Sequence, residues 1–449
     1  MKYNFRNKNV LILGLGKSGL SSLTLLSKMG AFCYVYDDYK LKLNSYGLYD
    51  TCNIVSRVDD YLVRAMDFMI LSPSISIYSE YVKLAKLYGV KVLSEMELGL
   101  SQVKGTIIGI TGTNGKTTTS SLTQYILKQA KKPSILCGNV GKPVTENILP
   151  YKSNYVVEMS SFQLESLQTQ KVDIGAILNI TPNHLDRHFN FTNYRDAKFN
   201  LFKNMTRKST LILNYDDKTL RMLKNKKLTP KVIWISKNHK IDGFYAQKNK
   251  IFYKHKNRTK YIADISSTKL LGEHNIYNIL VSVAICKKLK VKNSIIEFCI
   301  SNFEPIEHRI QFVKNVNGVD YINDSKSTSP DSTITAIKTF KKSPLVLLLG
   351  GSDKNTSFDR LAKQISLTKN IKLIIVCGET SKKIIESLKK YHILNFQEAD
   401  TFLEALQLAT KCAEIGDTVL LSPACASFDF FTSYEERGEK FIEYVESLK

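Results

Sequence analysis

Gly112 to Thr119 reads GTNGKTTT and stands between an apolar run, Thr106 to Ile110, and a helix-like segment, Thr118 to Ala130. A strand, a tight glycine turn and a helix start aim several backbone N–H groups at one point, at the positive end of a helix dipole. That is a phosphate cradle. Lys116 would reach the β- and γ-phosphates, and the Thr117 hydroxyl would sit on a Mg²⁺. A strict Walker A sequence needs glycine five residues before Gly115, where Ile110 stands. The shorter form Gly112-x-x-Gly115-Lys116-Thr117 keeps the functional core. The alternative, a glycine turn that binds nothing, sits badly with Lys and Thr placed directly after the glycine. The chain is predicted to use ATP and to fold as α/β.

At 449 residues the chain exceeds what one hydrophobic core organises, and three domains are expected. The boundaries are predicted at 1–101, 102–305 and 306–449. Apolar stretches are interrupted by Gly, Lys or Pro, so no segment reads as a membrane span. The N-terminal run ending in LILGLGKSG lacks a small-residue cleavage site and reads as a first strand, not a signal peptide. A cytoplasmic protein is expected. None of the eight cysteines forms a C-x-x-C pair, which argues against a zinc site or a disulfide framework. The formal charge of +23 could attract nucleic acid. Its Lys-rich residues are spread along the chain, however, and no nucleic-acid motif appears, so no nucleic-acid partner is predicted.

The first segment shows Asn9 to Leu13, the turn Gly14-Leu15-Gly16-Lys17-Ser18-Gly19, a helix from Leu20 to Met29 and a strand from Ala31 to Tyr36 ending at Asp37-Asp38. This is a dinucleotide-type pattern, which a hydride-transferring oxidoreductase would also show. The middle segment predicts strands at Tyr155 to Glu158, Ile174 to Ile180, Leu211 to Asn214 and Val232 to Ile235, then a small β excursion over 240–270. The last predicts strands at Tyr321 to Asn323, Leu345 to Leu349, Leu373 to Cys377 and Thr418 to Leu421. Polar loops follow three of these, at the sheet edge where α/β proteins bind ligands.

Four residues stand out by position. Glu158 ends a strand of the phosphate-loop segment, where an NTPase holds Mg²⁺; a surface Glu is the alternative. His184 could ligate metal, orient a substrate or be structural. Lys198, on pattern alone, reads as a solvated helix lysine. Arg309, after a Pro-containing linker, could clamp a γ-phosphate when domains close.

Taken together, the motifs resemble the Mur ligases, ATP-dependent amide-forming enzymes of peptidoglycan precursor synthesis. The resemblance runs nearly the full length, through Leu71-Ser72-Pro73-Ser74-Ile75, Gly138-Asn139-Val140-Gly141, Glu158 to Leu164, His184-Leu185-Asp186-Arg187-His188, Gly272-Glu273-His274-Asn275, Asn323 to Thr328 and Ser422 to Asp429. The SSFQL and SPACASFD segments point to the D-glutamate-adding branch. Diaminopimelate- or lysine-adding ligases and folylpolyglutamate synthases lack that combination.

The resemblance implies a Rossmann-like first domain, a central P-loop ATPase-type parallel-sheet domain and a Rossmann-like third domain. It implies Lys17, Ser18, Asp37, Asp38, Ser72, Asn139 and His184 for the UDP-sugar substrate, UDP-N-acetylmuramoyl-L-alanine. ATP would be held by Gly112, Thr113, Asn114, Gly115, Lys116, Thr117, Thr118, Asn275, Asn278, Arg309, Asp324 and Lys326. Thr117 and Glu158 would serve one Mg²⁺, and His184 with a carbamylated Lys198 a second. D-Glutamate would meet Thr328, Lys354, Ser427, Phe428 and Tyr434. Lys116, Glu158, His184, Lys198 and Arg309 are the implied catalytic set, and a monomer is expected. Tyr434 stands where the family pattern has Phe, and Ser74 where it commonly has Gly.

Overall fold

The computed structural model describes residues 3–38, 52–340, 343–353 and 356–448. They form two compact units, Met1–Ser267 with Ile276–Asn302, and Thr268–Asn275 with Phe303–Lys449. Each is a mixed α/β body, and the described residues carry three sheets. No helix among them is long and apolar enough to cross a membrane.

The first unit holds two of the sheets. The smaller is parallel throughout, ordered Asn53–Ile54, Phe32–Tyr36, Asn9–Leu13, Phe68–Leu71, Lys91–Ser94. Its strand order reverses direction between Asn9–Leu13 and Phe68–Leu71, so the loops leaving those two strands flank a crevice at a topological switch point. The helix after the first glycine turn spans Lys17–Lys28, three residues earlier than the sequence suggests, because Gly16 accepts its first backbone bond from Leu20. Phe68–Leu71 and Lys91–Ser94 are strands that the sequence reading passed over.

The larger sheet has nine strands. In spatial order they are Arg258–Asp264, Lys250–His255, Gly243–Gln247, Lys231–Ser236, Thr210–Asn214, Ile174–Ile177, Gly105–Thr111, Ser153–Glu158 and Ser134–Gly138. The last seven are mutually parallel, and the first two add an antiparallel hairpin, the β excursion expected over 240–270. The central strands are buried on both faces and read as continuous apolar runs, as a helix-covered parallel sheet requires. Ile174–Ile177 stops short of the expected Ile180. Past it, Asn179 turns to hold the phosphate loop: its carbonyl accepts from Thr113 N, and its side chain both accepts from Asn114 N and donates to Asn114 O.

The two sheets of this unit are latched through a short helix, Glu95–Gln102, which buries two carboxylates. Glu95 accepts from the Thr145 amide and hydroxyl at 2.9 Å each. Glu97 accepts from the amides of Gln168 and Thr169 and from the hydroxyls of Thr169 and Tyr3. Such partners offset the cost of burying a carboxylate, while Glu95 Oε2 has no hydrogen-bond partner.

The second unit has a six-stranded sheet ordered Gln311–Val316, Val319–Asn323, Thr418–Leu421, Leu345–Leu349, Ile371–Cys377, Phe396–Ala399, parallel except for its first strand. Asn323 and Leu348 both stand in register with Leu421. The loops following these three adjacent strands therefore gather at one edge.

Candidate active site

The phosphate loop follows from its strand. Thr111 ends Gly105–Thr111, and the helix Lys116–Gln129 begins two residues before the expected Thr118. Gly115 caps it with φ +85°, in the left-handed region. An added Cβ there would lie 2.2 Å from Asn278 Oδ1, so both space and backbone demand glycine. The Thr119 hydroxyl donates to Gly115 O, which fixes the first turn. The Thr113 hydroxyl lies 3.0 Å from the Tyr194 hydroxyl and donates to Thr181 O. The loop is thus held on both sides before any ligand arrives. Lys116 Nζ donates to Gly112 O at 3.1 Å and Thr113 O at 3.0 Å, which lays the ammonium across the loop. Thr117 and Thr118 are buried in the first helical turn.

Strand pairing sets Glu158 beside this loop, since Ile110 and Glu158 are in register. Glu158 is buried; Asn139 Nδ2 donates to its Oε1 at 2.7 Å, while Oε2 has no hydrogen-bond partner. A buried carboxylate oxygen without a donor is costly unless a cation meets it. With the Thr117 hydroxyl it offers the hard oxygen ligands that suit Mg²⁺. No cluster of three His, Cys, Asp or Glu residues occurs among the described residues, so a metal here would lean on few protein ligands. Asn139, expected at the UDP-substrate, is engaged in holding Glu158.

Lys198 corrects the solvated-lysine reading. It is 2% exposed and lies on the helix Phe191–Lys203, whose buried residues are Tyr194, Ala197, Lys198 and Leu201. Its Nζ donates to Gly112 O at 2.9 Å and sits 4.8 Å from the Tyr194 ring centroid. Burial, and then the neighbouring Lys116, push its pKa well below the ordinary lysine value, while Glu158 pulls the other way. The spacing i, i+3, i+4, i+7 of that buried stripe is the signal that places Lys198 inward. Tyr194, which no motif singled out, braces both Thr113 and Lys198.

His184 is exposed, with φ +52°, and caps the four-residue helix Leu185–His188. Its ring packs edge-on against Phe162 at 5.0 Å. In the small sheet, Asp37 Oδ2 accepts from the Leu15 amide at 2.6 Å, and the Ser72 hydroxyl donates to Gly14 O at 2.8 Å. Lys17 and Ser18 open the helix above that turn, and Asp38 follows Asp37 past the strand end.

In the second unit, buried Asp324 accepts from the hydroxyls of Ser327 and Ser422 and from the Ile310 amide. Lys326 Nζ donates to the Tyr434 hydroxyl at 3.0 Å, so the hydroxyl that distinguishes this tyrosine is used to hold a cation. Ser427 is buried, Phe428 is exposed with its amide donating to Ser352 Oγ, and Thr328 N donates to Lys326 O. Asn275 donates to Leu271 O. Lys354 lies outside the described residues. Arg437, missed in the sequence, binds two of the loops together. Its Nε donates to Ser325 Oγ, its Nη2 to Ser325 O and Cys425 O, and its Nη1 to Ala426 O, all within 3.1 Å.

Arg309 acts on two titrating neighbours. Burial first and Arg309 second pull His274 down from 6.5 to about 4. Burial pushes Asp324 up from 3.8 to about 6, against its hydrogen bonds and Arg309. On acidification Asp324 takes up its proton earlier folded than unfolded, which stabilises the fold; His274 takes up its proton later, which destabilises it. Each effect is worth about 3 kcal/mol, and the two nearly cancel. Asp324→Asn is therefore expected to lose about 3 kcal/mol between pH 7 and pH 4 relative to wild type, and His274→Gln to gain as much. Denaturant titrations across that range test this, and parallel pH profiles for the two variants would refute it.

A strand–glycine loop–helix cradle beside a buried carboxylate, on a three-sheet α/β chain, defines a nucleotide-dependent class of protein. Three family models match in order: "Mur ligase MurD-like, N-terminal domain" over 8–94, "Mur ligase middle domain" over 110–286, and "Mur ligase, glutamate ligase domain" over 308–425. The chain belongs to the Mur ligase family. It is 37% identical to the UDP-N-acetylmuramoylalanine--D-glutamate ligase of Lachnoclostridium phytofermentans, covering 99% of each chain. It is also 37% identical to the enzyme of that name from Caldicellulosiruptor saccharolyticus, covering 98% of this chain and 99% of that one. Among solved structures it is similar to MurF ligase from Thermotoga maritima in complex with ADP, with a TM-score of 0.60, 15% identity and coverage of 98% and 95%. That likeness speaks for the fold.

Proposed function

We propose that this chain joins D-glutamate to UDP-N-acetylmuramoyl-L-alanine at the expense of ATP, as a cytoplasmic, monomeric enzyme of peptidoglycan precursor synthesis. The observation that carries the ATP-dependent chemistry is the Lys116 loop set beside the unpartnered Glu158 oxygen. The amino acid rests on the near full-length similarity to D-glutamate ligases.

The L-alanyl carboxylate attacks the γ-phosphorus in line, ADP leaves and an acyl phosphate forms. The free amine of D-glutamate then attacks the acyl carbon, and phosphate departs. Lys116 and the loop amides stabilise charge on the transferring group. Thr117 and Glu158 would hold a Mg²⁺, which would supply further charge neutralisation there. Burial favours the neutral amine of Lys198, the form that adds CO₂ to give a carbamate and release a proton. That carbamate, with His184, is the proposed holder of a second Mg²⁺. Lys17, Ser18, Asp37, Asp38, Ser72 and Asn139 serve the UDP-substrate in this reading. Asn275, Asn278, Arg309, Asp324 and Lys326 serve ATP; Thr328, Lys354, Ser427, Phe428 and Tyr434 serve D-glutamate. The division into domains at 1–101, 102–305 and 306–449 belongs to the same proposal.

Phosphate release from ATP is expected only when UDP-N-acetylmuramoyl-L-alanine and D-glutamate are both present. Release with L-lysine, with diaminopimelate or with no amino acid would overturn the assignment.

A further inference from the structure

Arg187 has no part in the reading above, yet it joins three segments that each approach a proposed ligand group. Its Nη1 donates to Ser74 O at 3.1 Å and its Nη2 to Ile75 O at 3.2 Å. The same guanidinium lies 3.6 Å from Glu165 Oε2 and 4.9 Å from the centroid of the Phe162 ring. That ring also packs against His184 at 5.0 Å and is stacked with His188 at 5.5 Å. His188 Nε2 lies 3.0 Å from Ser161 Oγ, at the start of the turn that follows Glu158.

The loop so grasped is one lip of the switch-point crevice. Ser72 N donates to Leu13 O and Ile75 N to Ser72 O, so the loop leaves its strand as a tight turn. The Ser72 hydroxyl donates to Gly14 O, and an added Cβ on Gly14 would lie 3.1 Å from Ser72 Cβ, so the two lips touch at their base. The Ser74 and Ile75 carbonyls themselves accept from a side chain of the larger-sheet portion. A planar, forked donor suits two adjacent carbonyls, and a lysine ammonium does not.

We infer that Arg187 is a positioning residue. It fixes the Ser72–Ile75 lip of the crevice and holds that lip and the His184 turn as one piece. Its effect on a UDP-sugar rests on the function proposed above; its clamping of the lip does not.

Arg187→Ala and Arg187→Lys are compared with the full-length wild type in two measurements. Steady-state kinetics should show KM for UDP-N-acetylmuramoyl-L-alanine raised about 10- to 100-fold in both variants, with the KM values for ATP and D-glutamate within about threefold of wild type. Hydrogen exchange should show faster exchange at the 74–76 amides and unchanged protection in Phe68–Leu71. Equal losses in all three KM values with a lowered melting temperature would reduce Arg187 to a structural residue and overturn the inference. Unchanged exchange at the lip, or full rescue by lysine, would also overturn it. If the wild type fails to turn over the UDP-sugar, the proposed function falls, and the exchange measurement still decides the clamp.

Discussion

Replacing Lys116 by methionine is expected to cut kcat for phosphate release about a thousandfold, near 4 kcal/mol of transition-state stabilisation. The fold should survive, because the ammonium's bonds to Gly112 O and Thr113 O stay within its own loop, and such bonds contribute about 1 kcal/mol each. A second consequence separates this variant from a simple loss of phosphate binding. After burial, the neighbouring charge of Lys116 is what lowers the Lys198 pKa. Without it, Lys198 holds its proton more tightly and adds CO₂ less readily. In ¹³C-bicarbonate, a carbamate signal present in wild type and absent in Lys198→Ala should weaken in Lys116→Met. Activity above about a tenth of wild type would refute the catalytic assignment.

The largest effect on stability is expected at Arg437. Burial lowers its pKa only to about 10, so at neutral pH it is a buried cation that satisfies four acceptors. Arg437→Ala strands those acceptors and is expected to cost about 3–5 kcal/mol. Arg437→Lys should recover little, since one ammonium cannot span Ser325, Cys425 and Ala426. Because the Ser325 and Ala426 loops adjoin Lys326 and Ser427, whatever folds should also show a raised KM for D-glutamate. Urea unfolding measures the first effect; a loss below about 1 kcal/mol would show that solvent replaces the guanidinium.

What the sequence discloses follows from how local each feature is. The phosphate loop, the parallel strands beside it and the place of Glu158 are written in contiguous residues: an apolar run, a glycine turn, a carboxylate at a strand end. Lys198 was legible in principle through the Tyr194, Ala197, Lys198, Leu201 stripe, but lysine on a helix is so commonly solvated that residue type outweighed period. Arg187, Tyr194 and Arg437 were not legible. Each has a decisive partner far along the chain, 113, 81 and 112 positions away, which only chain topology brings close. The same holds for Asn139, whose engagement with Glu158 depends on two neighbouring strands ending level.

The carboxylates of Glu95 and Glu97 bear on how this gene can be cut. Both ride on a helix that continues directly from the last strand of the small sheet, while most of their donors, at Thr145, Gln168 and Thr169, arrive later in the chain. A fragment ending just after that helix would carry two charges with most of their hydrogen-bond donors missing. One ending before it would lose Leu98 and expose the apolar cluster that Leu98 joins, including Ile70 and Leu93. The first hundred residues are therefore poor candidates for transfer to another scaffold. Recombination that respects the physics would exchange them together with the phosphate-loop portion, as a single inherited block.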